Sequence, residues 1–257
     1  MALIHFLVAS ILSVTAVTSL PLLNATVLPQ NQTALTVGSA VPFGAVIDRC
    51  SVPGTVALTF DDGPYMFTPA LLDILSANSA PCTFFVNGGG LGGIYNYQDV
   101  IQRIWREGHQ LGSHTWGHSN LAGMSYEAVV SQMTDLEQAF VQIIGGFPVY
   151  MRPPYLGVDG VVLQAMTDLG YHIIHASIDT KDYENDSPDL IWKSLEKFRA
   201  ELNAGGTIIL AHDVHQMTVV SLVQGMLDEI RERGLRPVTI GDCLGDPRDE
   251  WYRASRW

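Results

Sequence analysis

The chain is short of positive charge. Its 257 residues carry 14 Lys and Arg against 26 Asp and Glu, a formal net charge of −12, which argues against a nucleic-acid footprint and against attraction to an anionic membrane. Cysteine is scarce as well. Three cysteines in this length exclude a scaffold built on disulfides. Charged residues of both signs make up only 16% of the chain while 47% is hydrophobic, so the composition fits one sizeable globular core better than several small domains or a disordered chain. No short internal repeat or heptad run is evident. The only extended apolar segment lies at the start, and it is short of the roughly 20 apolar residues that a membrane span needs.

That segment, MALIHFLVASILSVTAVTS at residues 1–19, is broken by Ser and Thr and followed by small residues, the pattern of a secretory signal peptide, although its first residues include no Lys or Arg. Residues 20–45 are rich in Thr, Asn, Pro and small residues and read as a leader. Asn24, Asn31 and Asn185 each head an N-glycosylation acceptor triplet, the third weakened by Pro188. The expectation is a secreted protein, extracellular or in the cell wall, free of the membrane once the signal is removed. Cys50 and Cys243 bracket the folded body, and a bridge between them would tie its two ends in an oxidising compartment. Cys82, in the apolar run APCTFFV, reads as a buried free thiol.

From residue 46 the pattern changes to short β-like runs, TVALTF, CTFFV, HQLGSH, PVYMR, HIIHASI, GTIILAH and RPVTI, most of them separated by amphipathic stretches. The clearest helix runs from Tyr126 to Ile144, with Val129, Met133, Leu136, Phe140 and Ile143 at steps of four and three. Thr68-Pro69 and Ser187-Pro188 look like helix starts, and Gly145 and Gly170 like helix ends. About seven βα units predict one α/β domain over 46–245, a mostly parallel sheet closed or nearly closed into a barrel. Residues 246–257 are left as a C-terminal tail.

In such a barrel the chemistry lies at the C-terminal ends of the strands. The run VALTFDDGP ends there in two adjacent carboxylates, Asp61 and Asp62. Two like charges at the end of a core strand resist burial, so a compensating charge is required. HTWGH supplies His114 and His118, which on a helical turn would share a face and bind one cation, with Asp62 or Asp61 completing a site of two His and one carboxylate. Because neighbouring strand residues point in opposite directions, one Asp can ligate while the other serves as a base.

TFDDGP, HTWGH, RPPY, DTKDY and LAH, in this order, resemble the five motifs of the polysaccharide deacetylases, the NodB-homology domain of carbohydrate esterase family four. The wording around TFDDGPYMFT, EGHQLGSHTWGHSNL and IDTKDYEND is similar to that of fungal-type chitin deacetylases. The resemblance implies a distorted (β/α) barrel, a divalent metal, usually zinc, and hydrolysis of acetyl groups on polysaccharides. By motif, Asp61 would be the general base and Asp62, His114 and His118 the metal ligands. Arg152 would pair with Asp61, and the Tyr155 N–H would donate to the oxyanion. Asp182 would orient His212, the general acid, and keep it protonated, while Leu210 would line the acetyl-methyl pocket. Tyr183 stands where many family members have Trp. Trp116 is a candidate sugar platform that a packing role would equally explain. His109, His172 and His175 read as structural. The expected partner is chitin or a chitooligosaccharide, bound by a monomer with no nucleic acid. The alternatives are an O-deacetylase acting on a polymer such as acetylxylan, and a catalytically silent carbohydrate-binding homologue.

Overall fold

The computed structural model describes residues 41–256. The signal segment, most of the leader, Asn24 and Asn31 lie outside the described residues. In chain order the elements are β1 (Val46–Ile47), β2 (Thr55–Asp61), α1 (Thr68–Ala77), β3 (Thr83–Val86), α2 (Gln98–Arg106), β4 (Gln110–Ser113), α3 (Tyr126–Ile144), β5 (Phe147–Pro148), β6 (Tyr150–Met151), α4 (Gly160–Leu169), β7 (His172–Ile174), β8 (Ile178–Asp179), α5 (Ile191–Asn203), β9 (Ile208–His212), α6 (Val223–Glu232), β10 (Arg236–Val238), α7 (Ile240–Leu244) and β11 (Tyr252–Arg253).

The sheet runs in the order β1-β7-β6-β4-β3-β2-β9-β8, and every neighbouring pair is parallel. It is the curled sheet of a distorted (β/α) barrel, with helices crossing between strands as parallel connections require. β2 is its centre. β9 lies along one edge, while the other edge is shared: β10 pairs with Thr55–Ala57 and β3 with Thr59–Asp61. All seven residues of β2 are buried, which is why its sequence is nearly continuous apolar. Val56, Leu58 and Phe60 join the cluster beneath α1, α2, α5 and α6, whereas Ala57 joins the inner cluster with Phe85, Tyr150 and Ile208. The two-residue period thus points the Thr59 and Asp61 positions inward too.

α3 forms as its pattern predicts. Ser125 caps its start by accepting the Ala128 N–H, Gly145 ends it in a left-handed conformation, and the five stripe residues are buried. Full burial of such a side chain contributes on the order of 1.5–3 kcal/mol.

Elsewhere the boundaries differ from the sequence reading. Thr68 lies inside α1 and does not cap it; its hydroxyl accepts the Tyr65 N–H and donates to Asp213. α5 starts at Ile191, because Ser187 and Pro188 are spent in a turn whose carbonyl at Ser187 accepts the Leu190 and Ile191 N–H groups. HIIHASI makes two strands that never meet, β7 against β6 and β8 against β9. Residues 246–256 are no loose tail: β11 pairs antiparallel with β5, Trp251 is buried, and Arg256 forms an ion pair with Glu137. The described end of the leader is anchored as well, with Phe43 stacked on His172 at 4.3 Å.

Cys50 and Cys243 form a disulfide across 193 residues of chain, and Cys82 is a buried free thiol. The Asn185 side-chain amide donates to the Lys181 carbonyl and to Ser194 Oγ, so this acceptor triplet is spent on joining a loop to α5. Among the described residues no helix is long and apolar enough to cross a membrane.

Candidate active site

Asp61, Asp62, His114, His118, Tyr155, Tyr183, Leu210 and His212 line one cleft of about 460 Å³ at the C-terminal ends of the strands. Arg152 and Asp182 lie buried behind them.

On one side are the three ligand candidates. Asp62 Oδ1 is 3.4 Å from His114 Nε2 and 3.1 Å from His118 Nε2, and the three ligand atoms lie within 4.8 Å of one another. The arrangement does not come from a helix or from strand alternation. Asp62 follows β2 in a left-handed conformation (φ 76°), and Thr115 and His118 are left-handed too (φ 69° and 53°). The loop is held from outside. Asn87 donates its side-chain amide to the His114 and Thr115 carbonyls and its N–H to the Gly63 carbonyl, while the Gln132 carbonyl accepts the Trp116 N–H.

These residues fit a cation. His114 Nδ1 is 2.7 Å from the Arg152 carbonyl, a partner that can only accept, so Nδ1 carries the proton and Nε2 presents a lone pair. That lone pair faces Asp62 Oδ1, a buried oxygen with no hydrogen-bond partner. Acceptors converging on one point need a positive charge between them. Two imidazoles and one carboxylate also form a donor set that leaves coordination positions open.

Asp61 is the inward residue at the end of β2 and is buried. Arg152 Nη1 donates to Asp61 Oδ1 at 2.8 Å and to Thr59 Oγ1 at 2.5 Å, its other nitrogens donate to the Ile174 and His175 carbonyls, and its face lies 4.5 Å over the Phe85 ring. The guanidinium is fully buried yet satisfied on every side, which fixes its carboxylate partner in place.

His212, at the end of β9, forms the opposite wall. Its Nδ1–H donates to Asp182 Oδ1 at 2.8 Å, while Asp182 Oδ2 accepts the His212 N–H and the Thr218 hydroxyl. Burial alone would lower the His212 pKa, but the Asp182 charge, with Asp61 and Asp62 adding to it, raises it to about 9. Burial pushes Asp182 up, and His212 and the hydrogen bonds outweigh it, so its pKa stays below the usual carboxylate value. The ring of Tyr183 stands edge-on to His212 at 5.3 Å.

Tyr155 is strongly exposed at the rim, with its ring 4.9 Å from that of His118 and its backbone left-handed. Leu210 precedes His212 by two residues and faces the cleft. Trp116 is not among the residues that line it. Its ring fills the space a side chain at Gly88 would need and packs against the core, which is the packing alternative.

Two residues of the site, Asn87 and Thr59, carry no recognisable signal in sequence. They hold the parts named above. Asp213 lies under the Asp61–Pro64 turn, occupying the space of a Gly63 side chain and accepting from Thr68 Oγ1 at 2.5 Å; burial lifts its pKa to about 7 despite that hydrogen bond. Asp179 and Lys181, both within DTKDY, line the cleft as well, with Pro153, Leu156 and His215. In sequence, Asp213 and His215 are rivals of their neighbour His212 for the acid role, and the strand-end position favours His212.

The polysaccharide deacetylase family model matches residues 48–174. The chain is 47% identical to a chitin deacetylase of Colletotrichum lindemuthianum over 83% of this chain and 89% of that one, and it belongs to the polysaccharide deacetylase family. A chitin deacetylase of Arthroderma benhamiae is 52% identical over 84% of this chain and 58% of its own length. A probable peptidoglycan-N-acetylglucosamine deacetylase of the same fungus is also 52% identical, and there the chain spans 50% of the relative's length. The solved structure of the Colletotrichum lindemuthianum chitin deacetylase superposes with a TM-score of 0.81, covering 84% of this chain and 99% of that one.

Proposed function

We propose that this chain is a secreted, metal-dependent chitin deacetylase that hydrolyses N-acetyl groups of N-acetylglucosamine polymers and releases acetate. The observation that carries the reading is the three-sided cleft: a cation-demanding trio, a buried base fixed by Arg152, and an imidazole raised to about 9 by a buried carboxylate. Relatives named as chitin deacetylases support the substrate. The disulfide and the signal pattern at residues 1–19 support secretion.

Asp62, His114 and His118 would hold the metal, with zinc fitting two imidazoles and a carboxylate. When bound, it supplies Lewis-acid polarisation of the acetamide carbonyl and lowers the pKa of water. The chain's own groups do the rest. Asp61 accepts the proton of the attacking water at a carboxylate oxygen, and Arg152 keeps that oxygen aimed. The Tyr155 N–H donates to the oxygen that gains charge. Leu210 offers an apolar wall to the acetyl methyl. His212 donates its Nε2 proton to the departing nitrogen while Asp182 holds the opposite nitrogen.

An amide leaves as an amine and depends on that proton more than an ester does, so a His212 that stays protonated up to about pH 9 favours N-acetyl over O-acetyl substrates. Comparison of kcat/KM on chitooligosaccharides and on acetylxylan, with one preparation, tests this. A tenfold or larger preference for acetylxylan would overturn the chitin reading and leave the family membership intact.

A further inference from the structure

Apart from the ligand trio, two imidazoles of the cleft wall each meet a carboxylate at Nδ1, and the reaction above uses only one of them. His215 follows His212 by three residues on the loop leaving β9. Its Nδ1 lies 3.3 Å from Asp186 Oδ2, as His212 Nδ1 lies 2.8 Å from Asp182 Oδ1. The two rings stand side by side, 5.7 Å apart and edge-on at 76°, and both line the cavity.

Their surroundings differ. Asp182 is fully buried, whereas the Asp186 and His215 side chains are 32% and 27% exposed. Asp186 is nonetheless fixed, because its Oδ1 accepts the Met217 N–H at 2.8 Å and so ties the β8–α5 loop to the β9–α6 loop. On a neutral ring, a carboxylate at Nδ1 selects the Nδ1–H tautomer and leaves Nε2 as an acceptor. The cleft wall therefore carries a proton donor at His212 and, next to it, an acceptor at His215.

We propose that His215, oriented by Asp186, accepts a hydrogen bond from a sugar hydroxyl of the bound chain and thereby acts as a specificity residue beside the reaction centre. This rests on the polysaccharide reading above. A hydroxyl-rich chain passing the His212 wall meets Tyr183 and His215, both beside that ring, an aromatic surface for the sugar and an acceptor for its hydroxyls. A contact made equally in ground and transition states weakens KM and spares kcat when it is lost.

The test is steady-state kinetics of the zinc-loaded protein on chitotetraose for the wild type, His215→Phe and Asp186→Asn, which keeps an oxygen for the Met217 N–H. Phe keeps a ring against His212 and removes the Nε2 acceptor together with the Nδ1 contact to Asp186. The expected result for His215→Phe is a KM raised about three- to tenfold, with kcat and its pH profile unchanged. Asp186→Asn shifts KM the same way, and the double variant is no worse than His215→Phe alone, because Asp186 acts through His215. An unchanged KM in His215→Phe would show a packing ring and overturn the proposal. A reduced kcat with a shifted pH profile would overturn it in favour of proton transfer. In either case an active wild type leaves the proposed function standing, whereas a wild type inactive on chitotetraose overturns both.

Discussion

Two buried histidines, one at each end of the barrel, are treated in opposite ways. At the C-terminal ends of the strands, His212 meets the fully buried Asp182 at 2.8 Å, and its pKa rises to about 9. At the opposite end His109, just before β4, is at least as buried. Its Nδ1 accepts the Cys82 N–H at 3.2 Å, the Glu107 carboxylate stays 3.9 Å from its Nε2, and burial lowers its pKa to about 4. Depth therefore does not decide the charge. A buried carboxylate within hydrogen-bond reach does, because it returns more than the desolvation removes. One end of the fold is built to hold charge for chemistry, and the other keeps neutral groups and the Cys50–Cys243 bridge for stability.

If that division is real, changes at the two ends should separate activity from stability. The largest effect belongs to the ligand trio: His114→Ala or His118→Ala should lose metal and deacetylation together, read by metal analysis and acetate release. Asp61→Asn should keep its metal and lose about 10² to 10⁴ in rate, the usual worth of one acid–base group. An empty site in that variant would exchange the roles of Asp61 and Asp62.

Asp182→Asn turns His212 into a histidine of the His109 kind. The expected loss is on the order of 10²-fold in kcat. The sign of the pH dependence follows from the raised pKa. His212 is charged below about 9, so the wild-type rate should fall as pH rises through that value, and the fall should move to lower pH in the variant. The stability that the His212–Asp182 pair contributes is likewise present in full below the unfolded pKa and lost as pH rises through about 9.

At the other end, replacing Cys50 and Cys243 by Ser should lower unfolding free energy by about 4 to 5 kcal/mol on the chain-entropy estimate, with kcat/KM of the folded protein unchanged. His109 gives the smallest effect. Its depressed pKa means that the folded state resists protonation, so stability falls as pH drops from the unfolded value toward about 4, by at most roughly 3 kcal/mol. His109→Gln should flatten that dependence between pH 7 and 4.5 in urea titrations.

The barrel and the charged residues at its strand ends were legible because each rests on local pattern: apolar runs of strand length, the α3 stripe, and polar residues stranded after them. What was not legible needed tertiary context. β1 and β11 are two residues long, too short for any periodicity to register. His114 and His118 meet through left-handed residues and not on a helix, and nothing in HTWGH announces that Asn87, from another strand end, holds the loop. Thr59 looks like any strand threonine until Arg152 donates to it. Trp116 was legible as an aromatic beside the ligands, but only the glycine at 88 shows where its ring goes.

The most direct test of the account is acetate release from chitotetraose, followed by mass, with the full chain as purified, after exhaustive chelation, and after zinc is restored. The account predicts partly deacetylated oligomers and free acetate that vanish on chelation and return with zinc. Full activity in the chelated protein, or no acetate with zinc restored, would contradict it.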